Sequence, residues 1–328
     1  MNPVISVIVE GYNESQNLGH ASDTIAALEA QDFPLDQVEL IMMGSGQQVA
    51  AWERGGFVPS TRFAAVRFVG DDDAHYLQLK NRGAQAANGD ILAFTDSDVR
   101  ISTDWLSSIV SAMKDGAVVS AGLSTFVDRD GVDSRPASRL VAGSITWGWT
   151  VGKGKDPTTG MRLAGGSLDH NLAIRREVFV ANLYEESNGR LMGSPLLFSR
   201  LRSLGHVPVL NARQQAAHYF DWRFWLVNLH VRYGYETYML RRIDPNFPNR
   251  WLTRFRALEP VAAMGWRVLL DLPQWWRYSG ALGLPRRRRL SLMPLVVALS
   301  TVARGAEAIG MWTTMISPKR MRRWAETR

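Results

Sequence analysis

Asp96-Ser97-Asp98 sets two carboxylates on either side of one serine, directly after the apolar run Ile91-Leu92-Ala93-Phe94-Thr95. Carboxylates at this spacing flank a turn and offer several hard oxygens to one divalent cation, which in turn can hold a diphosphate. The same pair also caps turns and helices with no ligand at all, so the surroundings must decide. Upstream, Glu10-Gly11-Tyr12-Asn13-Glu14 follows a second apolar run. Gly11 can turn the chain there, while Tyr12 and Glu14 either line a base-and-ribose pocket or supply packing and charge at a helix start. Lys80 and Arg82 lie just ahead of the aspartates, on a solvated helix face unless the next element brings a site to them.

The elements that would carry these groups alternate between strand and helix. Residues 4–9, 38–43 and 63–69 are apolar and rich in β-branched side chains, as expected of buried parallel strands. A helix with Asn13 as its cap is predicted after the first, and Gly44-Ser45-Gly46 closes the second. A helix over residues 76–87 stops at Asn88-Gly89 and leads into the strand 91–95, so that Asp96 and Asp98 emerge at its carboxyl end. Open α/β sheets bind ligands at that end. A helix over 105–113 and a strand over 118–126 follow. Residues 128–136 and 147–160 read as loops beside the site, where Lys153 and Lys155 either engage phosphate or face water.

Composition sets the outer bounds. The 328 residues are 46% hydrophobic and 21% charged, enough for a sizeable core and one large domain with an appendage, or two modest ones. The absence of cysteine excludes disulfides, thiolate metal sites and cysteine nucleophiles, and fits a reducing compartment. The net charge of +7 is unevenly spread: from Arg241 onward there are 17 Lys/Arg against 5 Asp/Glu. Eight of the 12 tryptophans lie at or beyond Trp222. A basic, tryptophan-rich tail on a mildly acidic body points to anionic lipid or another polyanion. Nucleic acid is not expected, because no zinc finger spacing, aromatic RNA-binding motif or helix-turn-helix signature is present. Residues 1–8 lack the basic start of a signal peptide, so a cytosolic start is expected.

Three blocks, in this order and spacing, resemble the family 2 glycosyltransferases of GT-A fold. They are residues 4–14, Lys80-Asn81-Arg82-Gly83 with Ala87-Asn88-Gly89-Asp90, and Phe94-Thr95-Asp96-Ser97-Asp98. The resemblance implies that Gly11, Tyr12, Glu14, Lys80, Arg82 and Asp96 bind a nucleotide diphosphate sugar, with Asp96 on the ribose. It further implies that Asp98, with Asp96 and His218, holds Mn²⁺ or Mg²⁺. Residues 165–179, Gly165-Gly166-Ser167-Leu168-Asp169-His170-Asn171 onward, resemble the acceptor-side segment, and a single histidine such as His170 is by default a satisfied polar side chain. The chain departs from the pattern twice. Met43-Gly44-Ser45-Gly46 lacks the aspartate that meets the base, and Gly193-Ser194-Pro195 stands where the family carries the Glu-Asp whose aspartate deprotonates the acceptor. A serine hydroxyl is too weakly basic to take that proton. Asp169 and Glu186 are the nearest replacement carboxylates.

From Trp222 the chain changes character: an aromatic helix, a break at Asp244-Pro245-Asn246-Phe247-Pro248, Trp275-Trp276, Arg286-Arg287-Arg288-Arg289, and an apolar helix near 292–311 interrupted by Arg304 and Glu307. The uncharged stretch 290–303 is shorter than the roughly 20 residues a bilayer span requires. Either these helices pack on the catalytic domain with arginines in water, or they lie at a membrane surface with tryptophans at headgroup depth. The expected architecture is therefore an α/β fold of GT-A type, a mixed, mainly parallel sheet flanked by helices, over residues 1–220. A helical region over 221–328 is expected to be peripheral to the cytoplasmic membrane face. The expected function is sugar transfer to a hydroxyl of a lipid-linked or polysaccharide acceptor, with stereochemical inversion implied by the family alone. A catalytically degenerate accessory protein is the alternative. A sugar-phosphate nucleotidyltransferase ranks last, for want of its glycine-rich, arginine-containing loop.

Overall fold

A computed structural model describes residues 4–11, 18–54, 61–127, 136–188 and 191–326. Tyr12, Asn13, Glu14 and most of the expected loop at 128–136 lie outside the described residues. Contacts group the chain into two units, one of Met1–Ser124 with Gly152–His218, the other of Thr125–Val151 with Tyr219–Arg328.

The first unit is built on parallel strands β1 (Ile5–Glu10), β2 (Val38–Gly44), β3 (Ala65–Gly70) and β4 (Ile91–Asp96), connected through helices α1 (Leu18–Glu29), α2 (Gly46–Arg54) and α3 (Tyr76–Ala86). In chain order there follow β5 (Val99–Ile101), α4 (Trp105–Lys114), β6 (Val119–Val127), α5 (Ala137–Trp147), which belongs to the second unit, β7 (Val151–Lys155), β8 (Arg162–Ala164), β9 (Leu172–Arg175), α6 (Arg176–Val180), α7 (Gly193–Ser203) and β10 (Val209–Tyr219). Strand order is β3-β2-β1-β4-β9-β6-β10-β8-β7, with β5 on β10, so the sheet is mixed and mainly parallel in its first half. The strands β1, β2 and β4 are buried along their whole length. Both faces are covered, which is why their sequences are continuous apolar runs and do not alternate. Val7 and Val9 join Ile25, Leu28, Trp105 and Ile109 on one face. Ile8 joins Leu77, Phe94, Phe179 and Leu197 on the other.

Register then decides what meets at the carboxyl end of β4. Parallel pairing sets Glu10 opposite Asp96. The strand β9 runs antiparallel to β4 with Leu172 opposite Phe94, so Asp169 and His170, just ahead of β9, arrive beside Asp96. On β10, His218 stands opposite Val99, one residue beyond Asp98. One expectation fails here: part of the glycine-rich segment 147–160 is strand β7, the last in the sheet order, and Lys153 and Lys155 are exposed on it. Lysines on an edge strand discourage further pairing, which explains a basic composition that otherwise reads as loop.

In the second unit, α5 groups with a π-helical turn at Phe224–Val231, α8 (Arg232–Ile243), a 3-10 segment at Arg250–Leu258, α9 (Glu259–Ala281), α10 (Arg286–Ser291), α11 (Met293–Ile316) and α12 (Pro318–Glu326). Arg304 and Glu307 do not interrupt α11. Arg304 is buried and reaches both Asp271 oxygens, at 2.9 Å and 2.7 Å, the Ile145 carbonyl at 2.8 Å, and Glu307. Glu307 also meets His230 at 3.0 Å and Arg267 at 3.3 Å. These charges are matched inside the unit, and the helix runs 24 residues; by length and composition alone it is apolar enough to cross a membrane, with half of its most apolar window buried. The uncharged stretch thus underestimated the element.

Gly122 of β6 has the Gln214 carbonyl and the Asn171 side chain packed where a Cβ would stand. Gly122→Ala should destabilise the protein by about 1–3 kcal/mol through overpacking, read as a lower midpoint in urea.

Candidate active site

Asp96 ends β4 almost fully buried, and α3 is laid so that one of its faces looks onto it. Lys80 and Tyr76 are four residues apart and therefore share that face. The Lys80 ammonium, with no solvent exposure, lies 2.7 Å from Asp96 Oδ1 and 3.9 Å from Glu10 Oε2. Tyr76 donates its hydroxyl to Asp96, with Oδ2 at 3.1 Å. Burial acts to lower the lysine pKa, but Asp96 and Glu10 outweigh it and hold Lys80 above its usual range. Burial and the Asp96 charge push the Tyr76 phenol well up, so it remains a neutral donor.

Beyond the turn, Asp98 Oδ1 lies 3.8 Å from His218 Nδ1. The His170 ring stands edge-on to that of His218, centroids 4.2 Å apart, and its Nε2 is 2.8 Å from Ser124 Oγ. Burial and the neighbouring His218 keep the His170 pKa well below the usual histidine value, so its imidazole is neutral. One ligand atom from each of Asp96, His170 and His218 falls within 4.8 Å of the others. A carboxylate with two imidazoles, and a second carboxylate beside one of them, is a donor set that fits Mn²⁺ or a similar divalent ion. His170 and Tyr76 are the members that sequence reasoning missed. Position of Asp169-His170 directly before a strand, and the i,i+4 spacing of Tyr76 from Lys80, are the signals that point to them.

Asp169 belongs to the same cluster. Burial raises its pKa, against the Ser194 hydroxyl, which donates to its carboxylate, and against the nearby Lys80 charge. Glu186 is placed differently. It is exposed and accepts from Asn81 Nδ2 at 2.7 Å and Gln78 Nε2 at 3.1 Å, and Asn81 is the leading cause that holds it below the usual carboxylate range. Those bonds fasten the 184–186 loop to α3, together with Asn81 Nδ2 to the Tyr184 carbonyl at 3.0 Å. Arg82, on the other side of α3 from Lys80, pairs with Asp71. Gly11 donates to the Met43 carbonyl at 2.9 Å, and the Trp52 ring occupies the space a Cβ there would need. A carboxylate does reach the turn after β2, although the turn has none of its own: Asp72 Oδ1 accepts from the Gly46 N–H at 2.8 Å.

Removing the ammonium by Lys80→Met leaves two buried carboxylates without their cation. A loss of about 3–5 kcal/mol is expected in chemical denaturation near neutral pH. Because the folded-state pKa of Lys80 is raised, the ion pair contributes fully below the ordinary lysine pKa and is lost only as pH climbs through the folded value. The difference between wild type and Lys80→Met should accordingly be flat from neutral pH to about 10 and shrink above it.

Comparison with known proteins bears on the family and the fold. The model of Glycosyl transferase family 2 matches residues 78–181, a span that contains Lys80, Asp96, Asp98, Asp169 and His170. Glycosyltransferase AglE of Haloferax volcanii is 25% identical over 182 residues, covering 54% of this chain. The chain spans about half the length of that curated relative, 52%. Among solved structures, the mannosyltransferase PcManGT of Pyrobaculum calidifontis, in complex with GDP-Man and Mn²⁺, superposes with a TM-score of 0.56 at 15% identity, over 97% of this chain and 88% of that one. S. aureus TarS 1-349 with UDP-GlcNAc aligns over 96% of this chain and 91% of its own, at 15% identity and a TM-score of 0.48. At such identities the structural likeness is one of fold. Residues 78–181 thus match the model of Glycosyl transferase family 2, and the chain has a fold of GT-A type.

Proposed function

We propose that this chain transfers a sugar from a nucleotide diphosphate sugar to a hydroxyl of a lipid-linked or polysaccharide acceptor, at a membrane surface and with inversion. The observation that carries the reading is the convergence of Asp96, Asp98, His170 and His218 where β4 ends. The complex of PcManGT with GDP-Man and Mn²⁺, on the same fold, supports it. Asp98, His170, His218 and the Oδ2 side of Asp96 would hold a divalent cation. Such a cation, when bound, neutralises charge on a leaving diphosphate. Lys80 acts differently, fixing Asp96 and adding positive charge beneath the donor site. Gly11, Tyr12 and Glu14 take the nucleotide, with Arg82 at the margin. On the acceptor side Asp169 is the carboxylate of the cluster, and Glu186 serves the loop.

The second unit supplies the membrane contact in this reading. On its 3-10 segment Trp251, Phe255 and Leu258 are exposed beside Arg254 and Arg256. The exposed side of α11 carries Val297, Val302, Ile309, Trp312 and Ile316, and Arg286, Arg287 and Arg288 are exposed on α10. Apolar side chains to enter the acyl boundary, with arginines for anionic headgroups, suit a helix pair lying on the membrane. The competing reading is a degenerate member that binds nucleotide sugar without turnover. Ser194, in the place of an expected carboxylate, favours it.

Titrating nucleotide diphosphate sugars into the protein with Mn²⁺ and with chelator separates these possibilities. Wild type should bind one donor in a metal-dependent way, and Asp98→Ala or His218→Ala should lower turnover at least about a hundredfold. Metal-dependent binding without transfer to any acceptor would establish the degenerate reading. Binding that is the same in wild type and Asp98→Ala would remove the metal assignment. For the membrane, reversing Arg286, Arg287 and Arg288 to glutamate should lower flotation with anionic vesicles at least about tenfold. Unchanged flotation would contradict it.

A further inference from the structure

The backbone ahead of α7 is built around one hydroxyl. Met192 adopts the left-handed conformation, with φ of 64°, which a side chain of its kind rarely takes. Gly193 follows with the Leu77 side chain packed where its Cβ would be, so the chain passes close against α3. Ser194 then sits buried at the start of the helix, and its Oγ donates to Asp169, 25 residues earlier in the sequence. Tyr184, held through its backbone N–H and carbonyl by the Asn81 side chain, is buried nearby. Backbone strain of this kind persists only where surrounding structure over-determines it, and here it delivers a short polar side chain to a carboxylate beside Asp96.

We propose that Ser194 is a positioning residue that presents Asp169 to the acceptor hydroxyl, so that the chain's acceptor-side base is carried by the segment ahead of β9 and aimed from α7. The inference rests on the sugar-transfer reading above for its chemistry. In the step it describes, the acceptor oxygen forms a bond to the anomeric carbon, and the bond from that carbon to the diphosphate oxygen breaks with its electron pair leaving on the diphosphate. The acceptor proton passes to a carboxylate oxygen of Asp169. The Ser194 hydroxyl donates to Oδ1, which fixes the carboxylate plane and leaves Oδ2 to take the incoming proton. A displacement of the base by about 1 Å would cost roughly a hundredfold in rate.

Three variants and two readouts test this. Asp169→Asn should abolish transfer while metal-dependent donor binding is retained. Ser194→Ala should lower kcat roughly 10- to 100-fold with donor KM unchanged, and Ser194→Thr, which keeps the hydroxyl, should restore most of it. Crystal structures of wild type and Ser194→Ala should show the Asp169 carboxylate leaving its position once the hydroxyl is gone. An Asp169 carboxylate that keeps its place in Ser194→Ala, or equal kcat in Ser194→Ala and wild type, would overturn the positioning role. A wild type that binds no nucleotide diphosphate sugar would instead defeat the sugar-transfer reading, and the pair of crystal structures would still decide whether Ser194 places Asp169.

Discussion

A lysine ammonium with no access to water is held between two carboxylates at the carboxyl ends of adjacent strands, and the site depends on that arrangement. Taking any one of these charges out of water alone costs several kcal/mol, so none is tolerable without its partners. Lys80 needs Asp96 and Glu10 at short range, which is possible only if β1 and β4 pair in the observed register and α3 lies across their ends. The ion pair therefore reports on three elements at once. It also leaves Asp96 in one orientation, with Oδ1 taken by the ammonium and Oδ2 met by Tyr76.

Chain direction does the rest. Strand β9 enters antiparallel beside β4, and β10 comes back past β5, so two histidines from segments far apart in sequence reach the aspartate turn. Imidazoles beside carboxylate oxygens suit a borderline divalent ion better than a purely oxygen-seeking one. The same antiparallel entrance brings Asp169 into the cluster next to His170. One short segment thus sets His170 against His218 and Asp169 near both Lys80 and the Ser194 hydroxyl.

Much of the fold is legible in the sequence because its strands are buried on both faces and appear as unbroken apolar runs. Asp96 and Asp98 are legible for the same reason: they end such a run. Other features are hidden by physics that spacing does not encode. Lys80 and Arg82 look equivalent on a helix, yet one is buried on Asp96 and the other pairs with Asp71, because a two-residue step turns a side chain by more than half of a helical turn. His170 reads as an ordinary polar side chain, and only antiparallel pairing sets it against His218. Strand β7 is masked by glycine and lysine. In the second unit, Arg304 and Glu307 read as breaks in an apolar helix, since hydropathy counts a charge but not its partner, and Asp271 is 33 residues from Arg304.

The position a divalent cation takes when a nucleotide diphosphate is present decides whether these side chains form a donor site. Anomalous diffraction from crystals grown with Mn²⁺ and a nucleoside diphosphate measures this directly. One strong peak within ligand distance of Asp98, His170 and His218, with the diphosphate on its open side, is the predicted result. A diphosphate seated elsewhere, or a manganese peak away from these side chains, would contradict it.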